Sequence, residues 1–150
     1  KDEGLDKGLR FLIDVPADRT KENIVAHLAA VIFIKFGVEV ELLTWRHGLG
    51  DAGTTVPHFD YKGMAREGRC FTCSWLNSKD TFTGGDFKFL EYPSKKEEWV
   101  ITKEEHYDRI LVMSQGSPLN PDYCRPNYHI REPYEGERIA TIIGFIETKC

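Results

Sequence analysis

The 150-residue sequence is poor in the features that define several common classes of protein. It contains four cysteines, a density far below that of a secreted domain held together by disulfides. Its longest apolar stretch, residues 24–36, is interrupted by His27 and Lys35 and is too short to span a bilayer. Its first residues lack the pattern of a secretory leader, and because it begins at Lys1 we expect a processed form or a piece of a longer chain. These deficits predict a reduced, cytoplasmic protein with no membrane partner.

The sequence also has fewer positively than negatively charged residues. Twenty Lys and Arg residues stand against 24 Asp and Glu residues, for a net charge of −4. A net-acidic chain is poorly suited to gripping phosphate backbones, so we expect no nucleic-acid partner. Hydrophobic residues make up 41% and aromatic residues 12% of the sequence, which is typical of a globular protein. The length suits one domain, residues 1–150.

The apolar spacing predicts one helix followed by strands. Asp18 and Thr20 are candidate N-caps for a helix that reaches about residue 36, and Gly37 suits a left-handed stop. After Gly37 the pattern changes to short apolar segments separated by glycine and proline, with a glycine-rich loop at 47–53. The predicted strands cover residues 11–15, 38–42, 57–60, 69–76, 86–90, 98–102, 109–113, 128–131 and 138–147. This order predicts a mainly β (α+β) fold, in which a helical part (1–37) covers a sandwich or jelly-roll core (38–150).

The triplet His58-Phe59-Asp60 is the first candidate metal site. Side chains at i and i+2 of a strand point to the same face, so His58 and Asp60 can bind one ion from one side. On its own this pair more often marks polar surface residues. His129, in a later strand-like segment, supplies a third ligand and completes the two-histidine, one-carboxylate set typical of non-haem Fe(II) oxygenases. Arg138 follows nine residues later, and its planar guanidinium suits a carboxylate.

The order of these motifs resembles the 2-oxoglutarate- and Fe(II)-dependent oxygenases, and among them the prolyl hydroxylase group. The resemblance extends over about residues 38–147. It is carried by H-x-D at 58–60, L-N at 76–77, G-G-D-x-x-F at 84–89 and H-x-x-x-P-x-x-G-x-R at 129–138, and by stretches similar to hypoxia-factor prolyl hydroxylases at 68–73 and 107–111.

The resemblance implies a double-stranded β-helix (jelly roll, cupin-like) with Fe(II) held by His58, Asp60 and His129. It implies 2-oxoglutarate as a cosubstrate whose distal carboxylate pairs with Arg138, and O2 as the oxidant. The implied reaction hydroxylates a protein or peptide side chain while 2-oxoglutarate is decarboxylated to succinate. A carboxylate at residue 60 favours hydroxylation or desaturation over the chemistry of related halogenases, which have a small residue there.

Two departures from the family pattern leave part of the site open. Ala140 stands where many members have serine, and Trp75 lies near the position of a tyrosine that other members use for the cosubstrate. Thr72 and Trp75 are therefore the candidates to assist Arg138. Candidate contacts to substrate or cosubstrate are Trp45 or its neighbour Arg46, His47 and Tyr61.

Other functions remain open at this point. A small-molecule hydroxylase of the same superfamily, a cupin-like metal dioxygenase that does not use 2-oxoglutarate, and an inactive barrel used for protein interaction all fit the same fold. Cys70 and Cys73 form C-x-x-C, but residues at i and i+3 of a strand face opposite sides, which favours buried thiols over a zinc site. We expect His106 to be a solvated loop residue.

Overall fold

A computed structural model describes residues 10–50, 55–58, 60, 68–116 and 127–148. About half of these residues lie in antiparallel strands. The strands are β1 (Arg10–Asp14), β2 (Val40–Leu49), β3 (Cys70–Leu76), β4 (Phe82–Gly84), β5 (Phe87–Leu90), β6 (Glu97–Ile101), β7 (Arg109–Gly116), β8 (Tyr128–Arg131), β9 (Tyr134–Gly136) and β10 (Ile139–Glu147), and the helices are α1 (Lys21–Phe36) and α2 (Lys103–His106).

Local signals set both ends of α1. The Thr20 side chain caps the first turn by accepting a backbone N–H, and Gly37 ends the helix with a φ of 71°. Ile24, Leu28 and Ile32 recur on one face of the helix and are completely buried. In the described part of the chain, no helix is both long enough and apolar enough to cross a membrane.

The main layer is a five-stranded sheet with the order β1-β7-β3-β10-β2. One face packs against α1 through side chains such as Phe71 and Cys73 of β3 and Phe145 of β10. The alternate residues face the other way, and Ser74 of β3 lies opposite Ile142 of β10 in the register. This second face forms one wall of a cavity.

A second layer covers that face. Strands β6-β5-β8 form a three-stranded sheet, and β4 pairs with β9. Phe87, Phe89 and Ile101 of the three-stranded sheet pack against Leu111 and Met113 of β7. The mainly β fold predicted from the sequence is therefore confirmed, and its antiparallel sheets form the two layers of a β-sandwich.

Several predicted boundaries were wrong. Strand β2 continues to Leu49, so His47 belongs to a strand and not to a loop. The predicted strand at 57–60 is a single bridge between His58 and His129, and Asp60 lies in a turn. Strands β4 and β9 lie in segments where no separate strand was predicted. Their pairing brings Gly136 so close to the Thr81 carbonyl that a Cβ at residue 136 would overlap it.

The two described cysteines are reduced thiols buried in β3. Burial raises the pKa of Cys73, which packs in the layer under α1. Neither thiol belongs to a metal-ligating group among the described residues. Cys124 and Cys150 lie outside the described residues.

His106 is buried, contrary to the expectation of a solvated loop residue. Its exposure is 2%, and its Nε2 lies 2.8 Å from the Ser74 carbonyl oxygen. Because a carbonyl only accepts hydrogen bonds, Nε2 carries the proton. Burial lowers the pKa of His106 to about 4.

We predict that His106 destabilises the protein in mild acid. Since its folded pKa is below the unfolded value of 6.5, stability is fully present above about pH 6.5 and decreases as pH falls towards 4, by up to about 3 kcal/mol. Chemical denaturation at about pH 7 and about pH 5 measures this loss. The variant His106→Gln keeps an N–H for the Ser74 carbonyl but cannot titrate, so it should lose less stability. An equal loss in both proteins would contradict the prediction.

Candidate metal centre and its cavity

A cavity of about 670 Å³ lies between the two layers. It is open to solvent beside His58, whose side chain is 45% exposed. Its lining residues come from both layers and from the segments between them: Thr44, Arg46, Thr55, His58, Asp60, Thr72, Ser74, Phe87, Met113, His129, Arg131, Arg138, Ile142 and Gly144.

The three predicted metal ligands meet at one point in this cavity. The Nε2 atom of His58 lies 3.0 Å from Asp60 Oδ1, and the Nε2 atom of His129 lies 3.2 Å from the same oxygen. One ligand atom from each residue falls within 4.8 Å of the other two. The group is thus compact enough to hold one ion.

Backbone pairing places the two imidazoles side by side. The His58 N–H donates to the His129 carbonyl at 2.9 Å, and the His129 N–H donates to the His58 carbonyl at 3.0 Å. His129 lies on β8, next to β5, where the Phe87 ring stacks on its imidazole at 5.1 Å. His129 is only 3% exposed, so packing holds its ring in place.

Hydrogen bonds also determine which nitrogen of each imidazole is free. His58 Nδ1 lies 2.7 Å from the Val56 carbonyl oxygen, and His129 Nδ1 lies 2.9 Å from the Asn127 carbonyl oxygen. Because carbonyls only accept, both Nδ1 atoms donate, and in neutral imidazoles both Nε2 lone pairs face Asp60.

Three acceptors that face one another repel unless a positive charge lies among them. Burial alone would raise the pKa of Asp60, but the His129 and His58 imidazoles outweigh it and hold this pKa well below its usual range. The hydrogen bond to Asp60 in turn raises the pKa of His58. The charge can be a proton or a metal ion, and two imidazoles with one carboxylate suit Fe(II) with open coordination positions. The residues present therefore fit the iron that the sequence implies.

Arg138 lies in the same cavity, where its guanidinium is 5.9 Å from the centroid of the Phe82 ring and has no anionic partner among the described residues. Its exposure is 7%, and its Nε atom is buried with no hydrogen bond. Among the described residues, no hydrogen bond or ion pair to its guanidinium is present. Burial, with a smaller contribution from Arg131, lowers the pKa of Arg138 to about 10, so the group remains charged at neutral pH. A buried, unpaired cation is unfavourable, and an anionic ligand would relieve it.

The two candidate helpers on β3 face opposite ways. Thr72 lines the cavity, and its hydroxyl is buried without a hydrogen-bond partner. Trp75 is on the α1 side of the sheet, where its indole N–H donates to Asp108 at 3.3 Å. The position of Trp75 contradicts its predicted contact with the cosubstrate, because Trp75 is three positions from Thr72, and an odd offset along a strand places two side chains on opposite faces.

The alternation of side chains along a strand also decides which candidate residues of β2 reach the cavity. Trp45 packs in the layer under α1, and His47 Nδ1 contacts the Thr141 hydroxyl at 2.7 Å. Neither lines the cavity, contrary to the prediction, whereas the third candidate, Arg46, and the alternate residue Thr44 do. Extending the predicted strand to residue 49 would have favoured Arg46 over its two neighbours and indicated Thr44 as well. Tyr61 lies outside the described residues.

Sequence reasoning missed Gln115, which contacts Asp60 from β7. Its Nε2 donates to Asp60 Oδ2 at 3.3 Å, and its Oε1 accepts the Asp60 backbone N–H at 3.2 Å. No motif in the sequence points to this residue. Phe87 was also missed as a support for His129, although it belongs to the G-G-D-x-x-F segment.

The fold is similar to those of solved oxygenases. No protein-family model matches the sequence, and no curated protein sequence matches it. An oxidoreductase of the 2OG-Fe(II) oxygenase family from Burkholderia pseudomallei superposes with a TM-score of 0.54 at 16% identity, over 91% of this chain and 66% of its own. A prolyl hydroxylase from Trichoplax adhaerens, solved with a peptide of the hypoxia inducible factor oxygen degradation domain, superposes with a TM-score of 0.51 at 18% identity, over 92% of this chain and 63% of its own. The chain thus spans less than two thirds of either structure.

We predict that a divalent metal stabilises this protein through His129. Fe(II) under anaerobic conditions, or Mn(II), should raise the melting temperature, because an ion at about 100 times its Kd adds roughly 2.7 kcal/mol. His129→Ala should abolish the increase. The matched control His47→Ala removes a histidine on the opposite face of the sheet and should keep it. An equal increase in the His129→Ala variant would contradict the assignment.

Proposed function

We propose that this chain is a 2-oxoglutarate- and Fe(II)-dependent oxygenase with a double-stranded β-helix fold, formed by one domain. The observation that carries the proposal is that two imidazole nitrogens and a carboxylate oxygen converge in the same cavity as a buried, unpaired guanidinium. The similarity to the two solved oxygenases supports the fold on which this arrangement depends.

His58, Asp60 and His129 would hold the iron. Bound there, it would supply O2 activation coupled to the decarboxylation of 2-oxoglutarate to succinate. The protein orients the ligands through the two Nδ1 hydrogen bonds to backbone carbonyls, which keep the Nε2 lone pairs directed at the ion. Burial of His129 under Phe87 keeps water from the inner side of the site.

Arg138 would bind the distal carboxylate of 2-oxoglutarate. Its Nε atom is buried without a hydrogen bond, and the guanidinium contacts the Phe82 ring but no carboxylate among the described residues, so a ligand carboxylate would satisfy the buried charge with charge-assisted hydrogen bonds. The Thr72 hydroxyl is a second unsatisfied group on the cavity wall, available to a ligand oxygen. A cupin-like dioxygenase that does not use 2-oxoglutarate leaves this buried cation unexplained.

The substrate class we favour is a protein or peptide side chain, modified by hydroxylation. Support comes from the Trichoplax adhaerens prolyl hydroxylase, which was solved with a peptide fragment. The mouth of the cavity also suits a large substrate, since His58 is half exposed and Arg46 lies on β2, the last strand of the sheet. A small-molecule substrate is the alternative, because a cavity of about 670 Å³ has room for one beside 2-oxoglutarate.

Anaerobic spectroscopy tests the proposed cosubstrate directly. Adding 2-oxoglutarate to the Fe(II)-loaded protein should produce a weak visible charge-transfer band, since the keto acid chelates the metal. Admitting O2 with candidate peptides should then yield succinate. A folded protein that binds iron but shows no band would point to an oxygenase with another cosubstrate.

We predict that Arg138→Ala weakens 2-oxoglutarate binding but leaves iron binding nearly intact. Loss of the charge-assisted hydrogen bonds should cost about 3 kcal/mol, roughly a hundredfold in Kd, measured by titration of the charge-transfer band. Arg19→Ala serves as the control, because Arg19 is exposed and pairs with Asp108 outside the cavity. Unchanged 2-oxoglutarate affinity in the Arg138→Ala variant would count against the proposal.

A further inference from the structure

Gln115 makes a two-point contact with Asp60 from the central sheet. The carboxamide donates to Asp60 Oδ2 at 3.3 Å and accepts the Asp60 backbone N–H at 3.2 Å. Gln115 is completely buried at the end of β7. One side chain therefore fixes both the backbone and the carboxylate of Asp60.

Asp60 needs such support more than the two histidines do. His58 and His129 are joined through reciprocal backbone hydrogen bonds, and His129 also belongs to β8. Asp60 lies in a turn and takes no part in a described strand. Its link to the five-stranded sheet, among the described residues, is the contact with Gln115.

The contact with Gln115 also gives the two carboxylate oxygens of Asp60 different partners. Oδ1 faces the Nε2 atoms of His58 and His129, whereas Oδ2 receives the amide proton of Gln115. A donated hydrogen bond occupies lone-pair density on Oδ2 that a cation would otherwise use. Only Oδ1 is then directed at the place where an ion would sit.

We propose that Gln115 is a positioning residue that makes Asp60 a one-oxygen ligand of the metal ion. By holding Oδ2 away from the ion, Gln115 keeps a coordination position free for the cosubstrate. This inference rests on the metal site of the proposed function, but not on the identity of the cosubstrate. It predicts that removing the amide changes how the metal is coordinated, and not only how well the protein folds.

The variant Gln115→Met tests this, since it keeps the length of the side chain and removes both hydrogen bonds. Co(II) is the probe, because its visible spectrum reports coordination number and its titration gives Kd. We expect binding to weaken by about 10- to 100-fold, as for other groups that orient metal ligands, with a changed Co(II) spectrum. Leu111→Met, a volume-conserving change of a buried residue of the same strand, should bind Co(II) as the unaltered protein does.

A second variant keeps the test decisive if Gln115→Met misfolds. Gln115→Asn retains the amide but shortens it by one methylene, and it should show the same spectral change if Gln115→Met does not fold. An unchanged Kd and spectrum in a folded Gln115 variant would overturn the inference while leaving the proposed function in place. Conversely, normal Co(II) binding by the unaltered protein with no response to 2-oxoglutarate, but a changed spectrum in Gln115→Met, would overturn the proposed cosubstrate and support the role of Gln115.

Discussion

The site depends on the repulsion among three hydrogen-bond acceptors that face one another: the Nε2 atoms of His58 and His129 and the carboxylate of Asp60. The Val56 and Asn127 carbonyls bind the Nδ1 protons of the two histidines, so both Nε2 atoms face the Asp60 carboxylate. That arrangement is favourable only when a proton or a metal ion lies among the three groups. The reciprocal backbone bridge, the Phe87 stack and the Gln115 contact are all ways of keeping the acceptors together despite their repulsion.

The sheet supplies the geometry that this arrangement requires. Strands β2, β3, β7 and β10 present one set of alternate residues to α1 and the other set to the cavity. The apolar set forms the layer under the helix and anchors the sheet. The small and polar set, including Thr72 and Ser74, leaves space between the layers for ligands.

The sequence predicted most where the signal is local. Thr20 and Gly37 mark the helix ends because capping depends on a few neighbouring residues. His58, Asp60 and His129 could be proposed because their residue types and order match a known pattern, and the structure brings the three side chains together. The face to which each strand side chain points was harder to predict, since a shift of one residue moves all side chains of a strand to the other face of the sheet. The contact predicted for Trp75 was wrong because this side chain lies on the face opposite Thr72. Gln115 was not predicted because its contact with Asp60 joins residues 55 positions apart.

The unpaired charge of Arg138 bears on how long the protein would persist in a cell. A buried cation without a counter-ion lowers the stability of the empty fold, and the dianion of the proposed function would restore it. Molecules without that ligand would then open more often than loaded ones and expose their backbone to proteases more often. Under the proposed function, this one guanidinium would link the steady-state abundance of the protein to the supply of the acid that binds it.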